Sequence, residues 1–248
     1  MTKSYQDRRR YHAGYFEYLL DDDDGTAWIN EGTCFGATVY TLPEEVVLAG
    51  KTYRLTSVEI AYNTEDDIWL KELTIPDSYE FIDEDSFPDA KLEKIRVGRG
   101  LEKWLPWSFR SASPTVEVTI SPENPHLKVS DDGHGILSKD GRRFFGFVHK
   151  NSELSVPEGV EEICYTAISC LDNLTRLTLP SSIRTFESYG FFECRKLERL
   201  ILPVAVPPTV NEDFEELPLD TCHLVVPREA VPAYRNHPIW GQFRHIDY

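Results

Sequence analysis

The sequence predicts an α/β repeat solenoid dominated by short β-strands, right-handed and carrying inserted β-hairpins. Three observations carry that expectation. A phrase of apolar residue, any residue, apolar residue and Pro stands at Leu154-Ser155-Val156-Pro157, Leu177-Thr178-Leu179-Pro180 and Leu200-Ile201-Leu202-Pro203, each 23 residues from the next. A second apolar set follows each Pro at matching distances, as in Val160, Ile163 and Ile168 and again in Ile183, Phe186 and Phe191. Where the interval lengthens, a strand-turn-strand pattern has been added. Self-similarity at a period of roughly 20 to 50 residues marks a fold in which no unit buries its apolar face alone and each stacks on its neighbours.

Taken in order, residues 1–14 are polar and are expected to form a disordered tail, with Arg8-Arg9-Arg10 solvated. Residues 15–248 are expected to form a single domain of about eight units, with an N-terminal hairpin or cap over 15–36. There the aromatic and β-branched runs 15–20 and 26–29 flank Asp21-Asp22-Asp23-Asp24-Gly25, which suits a turn. Four acids in a row do not alternate donors or close with a distant Glu as calcium loops do, so a solvated turn is expected.

Repeats are expected over 37–227. The phrase at Tyr40-Thr41-Leu42-Pro43 recurs at Leu73-Thr74-Ile75-Pro76, a longer interval that holds a hairpin insert near 44–56. The period then continues at Ile95-Arg96-Val97-Gly98 and Val118-Thr119-Ile120-Ser121 without Pro. A second insert is expected near 130–148, where Asp140-Gly141 separates two apolar runs. Leu174 and Leu197 stand three residues ahead of the strand's first core position and complete an L-x-x-L-x-L pattern. After Leu224-Val225-Val226-Pro227, residues 228–248 are expected to cap the last coil, opening with a short helix at Ala230-Val231-Pro232-Ala233-Tyr234.

The formal net charge of -16 repels nucleic-acid phosphates and anionic membrane, so no nucleic-acid partner is expected. No stretch approaches the ~18 consecutive apolar residues of a membrane helix, and no apolar run of a secretory signal follows the basic residues near the start. No membrane insertion is expected. Cys34, Cys164, Cys170, Cys194 and Cys222 are an odd, scattered set, expected to be free and mostly buried thiols. The seven histidines show no metal-peptidase spacing, no Ser sits in a G-x-S-x-G elbow, and no Gly-rich loop precedes a Lys-Ser or Lys-Thr pair. No catalytic residue, cofactor or metal is therefore assigned. Asn173-Leu174-Thr175 fits the glycosylation acceptor pattern, which occurs often by chance.

The segments LTRLTLPSSIRTFESYGFFEC (174–194), LKELTIPDSYEFIDEDSF (70–87) and LVVPREAVPAYRNHPIWGQFRHI (224–246) resemble the BspA-like leucine-rich repeats of bacterial surface antigens. YLLDDDDGTAWI and GKTYRLTSVEIAY (50–62) resemble the family's lead-in. The small-residue-then-Phe pair of the family stands at Ser86-Phe87, Ser108-Phe109 and Gly190-Phe191, and becomes Ala167-Ile168 in one unit. Its Cys column is kept at Cys170 and shifted by one at Cys194. Where the general leucine-rich repeat places Asn or Cys after the strand, this chain has Ser182 in one unit and Ala205 in another. The resemblance implies adhesion or protein recognition, on a bacterial cell surface or after secretion, and no catalytic residues.

If the Leu-x-Leu positions face inward, strand alternation puts Glu72, Lys94, Glu117, Glu153, Arg176, Arg199 and His223 in one outward column. Thr74, Arg96, Thr119, Ser155, Thr178, Ile201 and Val225 form the next. Arg176, Arg199, Ile201 and Val225 are the candidate binding residues, because Arg and aliphatics outside a core suit protein interfaces. The chain is read as a monomeric, non-enzymatic protein-interaction or adhesion module. The alternative is a carbohydrate-binding or glycoside-cleaving protein using an acidic groove.

Overall fold

In the repeated phrase every second residue is apolar, so an extended backbone turns one face inward, and a following Pro ends the strand by withdrawing an N–H from the ladder. In the computed structural model, which describes residues 7–32, 36–58, 69–211, 214 and 216–248, those faces are stacked in register. Cys34 and residues 59–62 of the expected lead-in lie outside the described residues. The chain divides into two compact units, Met1–Leu127 and Lys128–Tyr248, where a single domain was expected. The division falls at the start of the second insert, beyond the repeats around Gly98 and Ser121 that have lost their Pro.

In the first unit, strands β1 (Arg9–Ala13), β2 (Phe16–Asp21) and β3 (Thr26–Glu31) form an antiparallel meander. The expected disordered tail thus contributes a strand. Its arginines find local partners: Arg8 is buried with its guanidinium 3.7 Å from the Trp28 ring centre, Arg9 pairs with Asp22, and Arg10 with Glu17. Strands β4 (Val39–Thr41), β5 (Glu45–Leu48) and β6 (Lys51–Val58) follow, and β5 and β6 pair antiparallel across Ala49-Gly50. The repeats proper then begin with β7 (Glu72–Ile75), β8 (Phe81–Ile82), β9 (Lys94–Val97) and β10 (Glu117–Ile120). One parallel sheet runs β10-β9-β7-β4 and aligns Tyr40, Leu73, Ile95 and Val118 across its strands. The other sheet runs β1-β2-β3-β6-β5, and β8 joins β6 in parallel.

The second unit repeats the plan. Strands β11 (Leu127–Val129), β12 (Gly135–Ser138) and β13 (Arg143–Phe147) lead into β14 (Glu153–Ser155), β15 (Glu162–Ile163), β16 (Arg176–Thr178), β17 (Thr185–Phe186), β18 (Arg199–Ile201), β19 (Thr209–Val210) and β20 (His223–Val225). Strands β14, β16, β18 and β20 are parallel and align Leu154, Leu177, Leu200 and Leu224 in one buried row. The other sheet runs β11-β12-β13-β15-β17-β19 and buries Phe144, Ile163 and Phe186 behind the first. The small-residue pair forms a third rung: Ile168 N–H donates to Gly190 O at 2.9 Å, as Phe87 N–H in the first unit donates to Ser108 O at 3.1 Å. Helix α1 (Val231–Arg235) and strand β21 (His245–Asp247) close the unit, with Trp240, Phe243 and Ile246 buried at its end.

Each unit of the chain is therefore a stretch of β-solenoid. The helical part of the expected α/β class is not borne out among the described residues, where α1 is the only α-helix and the other helical turns are three short 3-10 segments. The reason is length. With 23 residues per repeat, the segment behind the Pro has room for a turn and a two-residue strand that pairs with its counterpart in the next repeat.

Candidate interaction surface

The outward columns stand where strand alternation puts them. Register pairs Glu153, Arg176, Arg199, His223 and His245 in one row, and Ser155, Thr178, Ile201, Val225 and Asp247 in the next. Arg176 and Arg199 are exposed neighbours on adjacent strands. Ile201 and Val225 are also neighbours, but they are half-buried and not the exposed aliphatics expected. His223 stacks on His245 with ring centres 4.7 Å apart, and its Nδ1 meets the Asp247 carboxylate.

Charge is handled differently in the two parallel sheets. In the first unit the strand cations meet acids one repeat away: Lys94 with Glu117 at 3.0 Å, Arg96 with Glu72 at 3.0 Å, and Lys71 with Glu93 at 3.0 Å. In the second unit Arg176 and Arg199 lie side by side, and neither guanidinium has an ion pair or side-chain hydrogen bond among the described residues. Like charges directly opposed across strands are unfavourable, whereas opposed unlike charges are mildly stabilising. Glu153 stands opposite Arg176 on the other side, and Arg199 has His223 beyond it. On the other sheet, Arg143 bridges Glu162 and Glu187, both at 2.8 Å, beside the exposed edge-to-face pair Tyr165 and Tyr189.

The acidic run at 21–24 forms the turn expected, with Asp22, Asp23 and Asp24 exposed and Asp21 buried, and neighbouring groups tie it down. Asp22 accepts from Arg9 Nε at 2.9 Å, from the Tyr53 hydroxyl, and lies 3.5 Å from Lys51 Nζ. The Arg9 bond, followed by that of Tyr53, holds the Asp22 carboxyl well below the usual carboxylate range. Asp24 Oδ1 takes the Thr26 N–H and hydroxyl, and Asp21 Oδ1 the Asp23 N–H. Asp21 and Asp24 thus serve the turn itself, and Asp22 ties it to β1 and β6.

Among the described residues no group of three or more His, Cys, Asp or Glu side chains could hold a metal ion, and no helix is long and apolar enough to cross a membrane. Cys164, Cys194 and Cys222 are buried free thiols, and Cys170 is half-buried where burial was expected. Burial pushes the Cys222 thiol up to about 12 and that of Cys194 further. Two features escaped sequence reasoning. Asn124, fully buried, donates to Gly98 O and Leu101 O and accepts from the N–H groups of His126 and Leu127. The turns at 130–135 and 138–143 share a Ser-x-Asp-Gly pattern and the same hydrogen-bond scheme, described below. The Ser-x-Asp-Gly repetition was visible in the sequence, but only Asp140-Gly141 was read as a turn.

Short parallel strands that end at Pro, recur every 23 residues and bury one apolar row define a repeat protein of the solenoid class. A model of the BspA type leucine-rich repeat region matches residues 57–130 and 139–226, in six copies. The chain belongs to this family. Among solved structures it is similar to a leucine-rich repeat protein from Eubacterium ventriosum, at 10% identity over 90% of this chain and 75% of that one, TM-score 0.43. It is similar to one from Bacteroides ovatus at 14% identity, over 88% of this chain and 59% of that one, TM-score 0.42. A leucine rich cell surface protein from Faecalibacterium prausnitzii is similar at 13% identity, with 97% and 94% covered and a TM-score of 0.32. No curated protein matches the chain.

Proposed function

We propose that the chain is a non-enzymatic protein-interaction module, adhesive in role, which offers the outer face of the β14-β16-β18-β20 sheet to an acidic surface of a partner protein. The observation that carries this reading is the Arg176–Arg199 pair, adjacent in register and making no ion pair among the described residues, although Glu153 stands opposite Arg176 on β14. A carboxylate from outside would relieve their mutual repulsion and gain charge-assisted hydrogen bonds that the first unit's cations already make internally. Membership of a repeat family, in which surfaces and not pockets are repeated, supports the same reading. The formal net charge of -16 weakens attraction to an acidic surface, but charges beyond about 8 Å are largely screened at physiological ionic strength, which leaves the local pair the greater weight at contact.

The test is the double variant Arg176→Glu/Arg199→Glu, compared with the natural chain against a panel of purified acidic and basic proteins. The natural chain is expected to capture acidic members with an affinity that falls as salt rises. The double variant should bind them at least about tenfold more weakly. Unchanged capture would reject the patch.

A further inference from the structure

The parallel sheet of the second unit begins at β14, which pairs with β16 on one side and with no strand of the described residues on the other. Which groups face the open side follows from the ladder. Ser152 O accepts from Thr175 N–H and Arg176 N–H, and Val156 N–H donates to Thr178 O, so the even-numbered backbone groups point to β16. In an extended strand the N–H and C=O of alternate residues point to opposite sides, so those of Glu153 and Ser155 point outward. Two donors and two acceptors are thus presented in a row.

The open edge lines a trough. Toward its start a cleft of ≈ 420 Å³ is bounded by Asp132, His134, Glu153, Ser155 and the single arginine Arg176. Toward its end a cleft of ≈ 760 Å³ shares Asp132, Ser155 and Thr178 with the first and continues to Pro157. The far wall is held by the two Ser-x-Asp-Gly turns. Asp132 Oδ1 accepts from the Ser130 hydroxyl at 2.6 Å and His134 N–H at 3.0 Å. Asp140 Oδ1 accepts from the Ser138 hydroxyl at 2.6 Å and Arg142 N–H at 3.0 Å. The wall is therefore ordered before any ligand arrives. It is also acidic: Asp131, Asp132, Asp140, Glu158 and Glu161 line the larger cleft against two cations.

We propose that this edge binds an extended, lysine- or arginine-bearing peptide segment of another protein, which adds to β14 as a further strand. Main-chain hydrogen bonds to Glu153 and Ser155 supply affinity, as in other sheets extended by a bound peptide, and the acidic wall selects basic side chains. Pro157 and the three-residue length of β14 confine the pairing to one short segment, so the edge captures a peptide without templating a fibre. The site is the edge of the sheet; of the outer-face pair, Arg176 borders its smaller cleft and Arg199 borders neither cleft, so Arg199→Glu leaves it intact.

The test is fluorescence anisotropy with an alternating Lys-Val heptapeptide and its Glu-Val counterpart. The Lys peptide should bind and the Glu peptide should bind at least tenfold more weakly. Ser155→Pro deletes the outward N–H and should weaken the Lys peptide at least tenfold, whereas Ser155→Thr should not. Asp131→Asn with Glu161→Gln should weaken it severalfold and flatten the salt dependence. A Lys-Val peptide N-methylated at alternate residues should fail to bind the natural chain, which tests the main-chain contact even if Ser155→Pro does not fold. Undiminished binding of the N-methylated peptide, or of a folded Ser155→Pro variant, would overturn the proposal. So would equal affinity for both peptides, displacement by neutral oligosaccharides, or sedimentation showing that the edge is filled by a second copy of the chain.

Discussion

At Asn124 a single side chain closes four hydrogen bonds in the interior of the first unit, two given and two received. Truncation would strip a partner from all four groups, and two of them, Leu101 O and Leu127 N–H, lie in buried bonds where each orphaned group costs about 1–3 kcal/mol. Asn124→Ala should therefore lose about 3 kcal/mol or more, read by urea unfolding through tryptophan fluorescence, since Trp28, Trp69, Trp104 and Trp107 all lie in this unit. Ser182 performs part of the same task in the second unit, accepting from Gly159 N–H and donating to Val160 O, so the loss of Asn or Cys there leaves the turn satisfied. Asp22 gives a pH signature. Its folded pKa is depressed, chiefly by Arg9, so its contribution is complete above the unfolded value near ~3.9 and is lost as pH falls below it. The melting-temperature gap between the natural chain and Asp22→Asn should be widest near neutrality and should narrow at pH 3. A gap that widens in acid would contradict the arrangement.

At the scale of elements, the β12–β13 hairpin depends on a backbone shape that suits glycine. Gly141 has φ +81°, and a Cβ there would meet only the flexible end of Lys128 at 3.1 Å, so strain in the left-handed region decides the outcome. Gly141→Ala should cost about 1–2 kcal/mol locally and speed hydrogen exchange of the β12 and β13 amides, leaving those of β18 and β20 unchanged. Strand β14 shows the opposite device. It is three residues long, is followed by Pro157 two residues on and is flanked by an ordered turn, features that limit how far an edge can template further strands.

Across the whole molecule, the free thiols report how completely the stacked rows are closed. Cys164, Cys194 and Cys222 are buried, and burial holds the Cys222 thiol near about 12, so little reactive thiolate exists at pH 8. Iodoacetamide followed by mass spectrometry should leave these three unmodified in the native chain and label them in urea, with half-buried Cys170 reacting sooner. Rapid native labelling of Cys194 or Cys222 would mean that the rows open readily. The charge pattern has the same scale: cations of the first unit's parallel sheet form ion pairs one repeat away, while Arg176 and Arg199 of the second unit form none among the described residues.

Periodicity alone determined the repeat, the inward rows and the order of the outward columns, because a two-residue strand alternation and a fixed interval leave one register that buries every apolar residue. Leu154, Leu177 and Leu200 are aligned as the phrase requires. The Asp-Gly turn was legible for the same reason, since its backbone shape is a local property. Tertiary structure alone decided what depends on distant partners: that Arg9 meets Asp22 and so turns a polar start into a strand, that Ile201 and Val225 are half covered, and that β14 has an open side. No interval along the chain encodes these, because each is a meeting of side chains or strands far apart in sequence, and whether a charge is paired or an edge is free is fixed by what folds beside it.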